Sequence, residues 1–119
     1  MQTMWQFNIG RFCIRAEIMP DYDADLSFDE TGETRENIAS GLWECFTTRV
    51  SVSLNGATIG EDWLGGSIYA DPRDFFTEHY GLAAKSRADG VTYGAYFPDM
   101  VREAIGEARQ WLADARLAA

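Results

Sequence analysis

Trp5, Phe7 and Ile9 alternate with polar residues, and after Gly10 the alternation resumes on the opposite parity with Phe12, Ile14, Ala16 and Ile18. A period of two marks a strand with one face on a core. The change of phase at Gly10 predicts a single strand over residues 4–18 with a β-bulge at the glycine, ended by Pro20. A cleaner alternation occupies residues 43–54, with Phe46, Thr48, Val50, Val52 and Leu54 on one face and Cys45, Thr47, Arg49, Ser51 and Ser53 on the other. One of these faces is expected to be buried and the other wet. Asn55-Gly56 is the pair favoured in a two-residue type I′ turn, so a strand over 57–64 is expected to run back antiparallel, broken at Gly65-Gly66 and continued over 67–69.

Elsewhere the period is that of helices. Residues 33–40 have room for a turn or two, with Ile38 as the apolar anchor. Asp71-Pro72-Arg73-Asp74 reads as a helix start: Asp71 caps free N–H groups, Pro72 suits the first position and Asp74 meets the positive end of the dipole. That short helix is expected to end near Tyr80, with Gly81 as its stop, before a long loop over 81–96. Pro98 then opens a last helix, in which Val101, Ala104, Ile105, Ala108, Trp111, Leu112 and Ala115 share one face. Trp5, Trp43, Trp63 and Trp111 all fall on strand or helix faces and read as core. The expected fold class is α+β: an antiparallel β-meander of three or four strands packed against a C-terminal α-helix, plus a short helix, in a single domain over 1–119.

Charge changes what this scaffold is suited to. The net charge of −9 repels nucleic-acid phosphates and anionic lipid, so neither direct nucleic-acid binding nor membrane association is expected. The excess is uneven: residues 1–62 hold eleven acids and four bases, net −7, against eight and six, net −2, in 63–119. Within the first half it concentrates in 21–36, where Asp21, Asp23, Asp25, Asp29, Glu30, Glu33 and Glu36 stand against Arg35 alone. An extended Asp21, Asp23 and Asp25 would space carboxylates by about 6.6 Å on one side, comparable to successive phosphates of a nucleic-acid strand. With Glu61 and Asp62, these seven acids are the expected partner-binding residues, addressed to a basic surface.

Catalytic and metal chemistry finds little purchase. Asp21, Asp23 and Asp25 begin a calcium-loop pattern, but Leu26 stands where it needs glycine and Gly32 where it needs a bidentate glutamate. His79 is the only histidine and sits at the end of a predicted helix, where it serves the dipole. Neither Leu64-Gly65-Gly66-Ser67 nor the 90–94 glycines have a phosphate-loop order, and no serine or cysteine has a triad around it. Lys85 and Arg87 with Tyr93, Tyr96 and Phe97 form the one basic and aromatic cluster, too small to outweigh the overall charge. No catalytic residue, metal or cofactor is expected. Cys13 and Cys45 have no metal-ligand spacing and read as free thiols, a disulfide being conceivable if their strands are neighbours. The N-terminus has no secretory pattern, so the expected location is the cytoplasm.

Residues 23–33 (DADLSFDETGE), 50–75 (VSVSLNGATIGEDWLGGSIYADPRDF) and 93–109 (YGAYFPDMVREAIGEAR) together resemble a group of small acidic proteins encoded by bacterial phages, plasmids and integrated elements. The resemblance covers most of the chain beyond Asp21. It implies a mobile-element setting inside a host bacterium and, by association with the small acidic proteins of such elements, an anti-CRISPR-type inhibitor. The implied partner is a host CRISPR effector, a type I surveillance complex, blocked from target DNA by an acidic, DNA-mimicking surface. The other reading is a non-catalytic accessory protein-protein interaction module of a phage or plasmid, working through apolar contact.

Overall fold

A computed structural model describes residues 1–77 and 96–118. Four strands form one antiparallel meander in the order β1-β2-β3-β4, where β1 is Gln2–Ile9, β2 Phe12–Pro20, β3 Glu44–Leu54 and β4 Ala57–Tyr69. Among the described residues three helices accompany it: α1 (Glu33–Ala39), α2 (Arg73–Thr77) and α3 (Tyr96–Ala118). The α+β class and the meander under a C-terminal helix are as expected.

The phase change at Gly10 is a hairpin and not a bulge. Gly10 has φ +57° and Ile9 pairs with Phe12, so Gly10-Arg11 is a two-residue turn with glycine at the first central position. Positive φ there matches the right-handed strand twist, and the apolar parity changes because the chain reverses. The irregularity in β1 lies instead between Thr3 and Trp5. Asn55 (φ 51°) and Gly56 (φ 85°) make the expected turn of type I′ character. Gly65-Gly66 does not break β4: the register slips from Phe46↔Ser67 to Thr48↔Leu64, and Gly66 (φ 71°) absorbs an extra residue as a bulge.

Inward positions of β2, β3 and β4 supply Ala16, Ile18, Phe46, Val50, Val52 and Ile59 to the core, and the helices add Phe75, Met100, Ala104 and Ala108. Each of these apolar side chains gains roughly 1.5–3 kcal/mol by leaving water if it is of valine size or larger. Asp71 caps α2 as its position suggested, accepting from the Arg73 N–H at 3.0 Å. The expected end of that helix near Tyr80 and Gly81, together with His79, Lys85, Arg87 and Tyr93, lies outside the described residues. α3 starts at Tyr96, two residues before Pro98, which is tolerated because the first-turn N–H groups have no helical acceptor.

α3 crosses the sheet. Phe97 meets Trp5 of β1 edge-on at 5.4 Å, and the helix lies on Gly60 of β4 around Ala104 and Ala108. Beyond Ala108 the helix is exposed but for a half-buried Leu112. The tryptophans are therefore not core as a set: Trp5, Trp63 and Trp111 are 37%, 47% and 49% exposed, and only Trp43 is half-buried. Trp111 and Ala115 keep the periodicity of the buried face but have no sheet beneath them.

Cys13 and Cys45 sit on neighbouring strands and are free. Cys13 pairs with Ser53, eight residues along β3 from Cys45, which puts the two about 27 Å apart at strand rise. A disulfide spans only about 4.4–6.8 Å between Cα atoms, so the register forbids it. Among the described residues no helix is long and apolar enough to cross a membrane.

Candidate functional site

The acidic segment is a folded loop between β2 and β3 that carries α1, and its chain is not extended. Asp21 accepts the Asp23 N–H at 3.1 Å and Asp25 accepts the Ser27 N–H at 2.9 Å, each carboxylate turning back on its own backbone two residues on. The regular 6.6 Å ladder of carboxylates expected of an extended strand is therefore absent.

Two of the acids hold the loop together. Asp21 Oδ2 accepts the Gly66 N–H at 2.8 Å, reaching from the end of β2 across β3 to the β4 bulge. The bulge turns that amide out of the ladder, and the carboxylate satisfies it. Asp29, buried, accepts the N–H of Thr34 at 3.2 Å and of Arg35 at 3.0 Å. These are first-turn amides of α1, whose N-cap is Gly32 with no capping side chain. Asp29 thus does from three residues upstream what a capping aspartate does in place. Arg35, the only base of the segment, returns to Leu26 O at 3.1 Å and Asp29 O at 3.3 Å. The segment's one guanidinium is thus tied back to the loop, 3.6 Å from the Asp29 carboxylate, while more than half of its side chain remains exposed.

Both structural carboxyls titrate below the ordinary value of 3.8, Asp21 chiefly through the Gly66 amide and Asp29 chiefly through the Arg35 amide. A depressed folded pKa means stability that is complete above the ordinary value and lost as pH falls through the folded one. The thermal midpoint of an Asp21→Asn, Asp29→Asn protein is therefore expected to lie below wild type at neutral pH and to converge on it as pH falls below the ordinary carboxyl value and through the lowered ones. Parallel midpoint curves across that range would overturn the assignment.

Glu61 and Asp62 do not join the loop in one surface. They are consecutive in a strand and point to opposite faces, Glu61 pairing with Ser51 and Asp62 with Val50 on the α3 side. Glu61 is also engaged, because Arg49 Nη2 lies 2.9 Å from it. Arg49 sits at the centre of the uncovered sheet face, with Glu17 at 3.6 Å on β2 and its guanidinium carbon 5.5 Å from the centre of the Trp63 ring. Of the nine expected partner-binding acids, Asp21 and Asp29 are bound into the fold, Glu61 is paired, and Asp62 is half-buried on the far face. Asp23, Asp25, Glu30, Glu33 and Glu36 are exposed in the loop.

Sequence reading missed the cluster of Arg49, Glu17, Glu61 and Trp63. The alternation of Trp5, Phe7 and Ile9 predicts a face on a core; these residues do lie on the core-side face of β1, but α3 reaches only Trp5, through Phe97, and all three stay exposed. Among the described residues no group of three or more histidines, cysteines or acids is placed to hold a metal ion. Comparison with protein-family models, curated proteins and solved structures finds no match.

Proposed function

We propose that this protein is a non-catalytic inhibitor of the anti-CRISPR type, acting in the cytoplasm of a host bacterium. Its acidic loop occupies a basic nucleic-acid channel of a CRISPR effector, a type I surveillance complex in the first instance, and keeps target DNA out. The observation that carries this reading is the local imbalance of charge: Asp23, Asp25, Glu30, Glu33 and Glu36 face solvent while Arg35 is bonded back into the loop. A rigid loop that presents carboxylates without a free counter-charge suits lysine and arginine side chains arranged to hold phosphates. The anchoring of the loop by Asp21 and Asp29 keeps the ordering cost of binding low.

The test is binding to the purified complex by the variant with Asp23→Asn, Asp25→Asn, Glu30→Gln, Glu33→Gln and Glu36→Gln. Affinity is expected to fall by roughly 100-fold, with a flatter salt dependence. The circular dichroism spectrum should be unchanged, since Asp21 and Asp29 are left intact. Undiminished inhibition by the amide variant would rule the reading out.

The accessory-module reading has its own supporting observation, the exposed C-terminal half of α3, where Trp111 and Leu117 face solvent. Tryptophan is over-represented among residues that dominate interfaces. Binding that is insensitive to salt and abolished by Trp111→Ala would favour this module over the inhibitor.

A further inference from the structure

The two edges of the sheet are unlike. β4 is guarded: it carries Glu61 and Asp62, two register shifts and α3 along its core-side face. Such features keep a sheet edge from pairing with another chain. Over its last five residues β1 has no charge and no register shift, and α3 reaches it only at Trp5, through Phe97. Between Gln2 and Ile9 there is no charge and no proline, and its single register shift lies before Trp5. From Trp5 to Ile9 the edge is regular, exposed and neutral.

Charge also distinguishes this edge. Residues 1–20 hold Arg11, Arg15 and Glu17, net +1, so the other 99 carry −10. Two copies of a −9 protein repel over most of their surfaces, and the β1 hairpin is where they can meet without opposing carboxylates.

Backbone direction fixes how they would meet. The Asn55 N–H donates to Arg11 O at 3.2 Å, which turns the backbone groups of Arg11, and by alternation those of Cys13 and Arg15, towards β3. Phe12, Ile14 and Ala16 therefore turn theirs towards β1, where they take up Ile9, Phe7 and Trp5. Gln6 and Asn8 are left with N–H and C=O groups directed off the edge of the sheet.

We propose that two copies of this chain pair through β1, antiparallel and two-fold symmetric about Phe7, to form one continuous eight-stranded sheet. Gln6 of each copy then exchanges backbone hydrogen bonds with Asn8 of the other. Phe7 lies opposite Phe7 of the second copy, and Trp5 opposite Ile9. These three side chains are on the core-side face of β1, so the pairing joins two exposed apolar strips into one. Phe7 is 50% and Trp5 37% exposed. At the 150–250 Å² that aromatic side chains bury, the accessible parts of the two come to roughly 200 Å² per copy. With Ile9 and the strand edge added, the contact falls at about 1,000 Å², the low end for specific interfaces, so the dimer is reversible and concentration-dependent. The pairing involves neither the acidic loop nor the end of α3, and it stands or falls separately from the function proposed above.

Sedimentation equilibrium of the full chain between about 1 and 200 µM tests it, the range in which so small an interface should assemble. The wild-type mass is expected to rise towards twice that of the chain. Asn8→Pro removes an N–H that points off the sheet and Phe7→Lys sets two ammonium groups face to face. Each should weaken association at least about tenfold, while at the dilute end of that range, where both proteins are monomeric, the Asn8→Pro melting curve stays that of the wild type. In a Cys13→Ser, Cys45→Ser background, Phe7→Cys should oxidise readily to a covalent dimer and Asn8→Cys should not, because only position 7 lies on the two-fold axis. A wild type that stays monomeric throughout would overturn the proposal, as would dimerisation untouched by Asn8→Pro or equal cross-linking at positions 7 and 8.

Discussion

Replacing Gly60 with alanine is expected to destabilise the protein by about 3 kcal/mol, although the change adds a single methyl group. The cause is the close approach of α3 to β4. A Cβ on Gly60 would lie 2.7 Å from the Ala108 nitrogen and closer still to the Ala104 carbonyl oxygen. Both are backbone atoms of a helix and neither can rotate away as a side chain end would. The helix must lift, which loosens Ala104 and Ala108, both buried, from the sheet beneath them. At a few degrees per kcal/mol for a domain of this size, the thermal midpoint should fall by roughly 10 °C. Gly106→Ala is the control: it lies on the free side of the same helix with nothing within 4 Å. There the gain in helix propensity is expected to raise stability by about 0.5–1 kcal/mol. A Gly60→Ala midpoint within a degree or two of the wild type would show that the helix does not sit on this strand so closely.

The contrast explains how much of the molecule was legible in its sequence. The alternation in β3, the Asn55-Gly56 turn and the apolar periodicity of α3 each follow from local chemistry, and the structure keeps all three, although the covered face of α3 leaves Trp111 and Ala115 exposed. Register does not follow in the same way. Counted back from the two-residue turn alone, Arg49 would oppose Asp62 and Glu61 would face the core side. An extra residue at Ile59 shifts the pairing, so that Arg49 opposes Trp63 and Glu61 turns to the wet face. A one-residue slip exchanges the faces of every position beyond it. Nothing in Thr58-Ile59-Gly60 announces the slip except Gly60 itself, whose need is the helix and not the strand.

The acidic loop shows a second kind of limit. Composition finds its charge but cannot say which carboxylates are spent on the chain's own amides. Asp29 is separated from Gly32 by two residues, and a capping aspartate is ordinarily sought at the cap itself. The signal was present in the absence of a side chain at Gly32, which leaves the first-turn amides of α1 needing an acceptor from elsewhere. Gly10 was ambiguous for a related reason: a phase change at a glycine is produced equally by an extra residue and by a reversal of the chain. The following Arg11 gives no turn preference that separates them.

Phe46→Ala is expected to be the most damaging single substitution among the described residues, at about 4 kcal/mol. Phe46 is 2% exposed and stands on the core face of β3 near its start, opposite Ser67. Its ring meets Phe75 edge-on at 5.8 Å and Tyr69 at 5.9 Å, and Tyr69 meets Phe75 at 5.9 Å. This triangle of rings is what fixes α2 to the sheet. Truncation removes a large apolar side chain and leaves a void between three elements that are held by their own hydrogen bonds. The void is not closed on all sides, since Phe46 also lines a groove with Met19, Ile38 and Trp43. Water can enter from that side, which lowers the penalty of an empty cavity and holds the cost near the middle of the range of about 3–5 kcal/mol for phenylalanine truncations. Phe46→Leu retains most of the volume and should cost less than about 2 kcal/mol. Urea unfolding distinguishes loss of packing from loss of structure: the midpoint should move with the slope unchanged. A loss under about 1 kcal/mol for the alanine variant would mean that α2 is not held by the ring cluster.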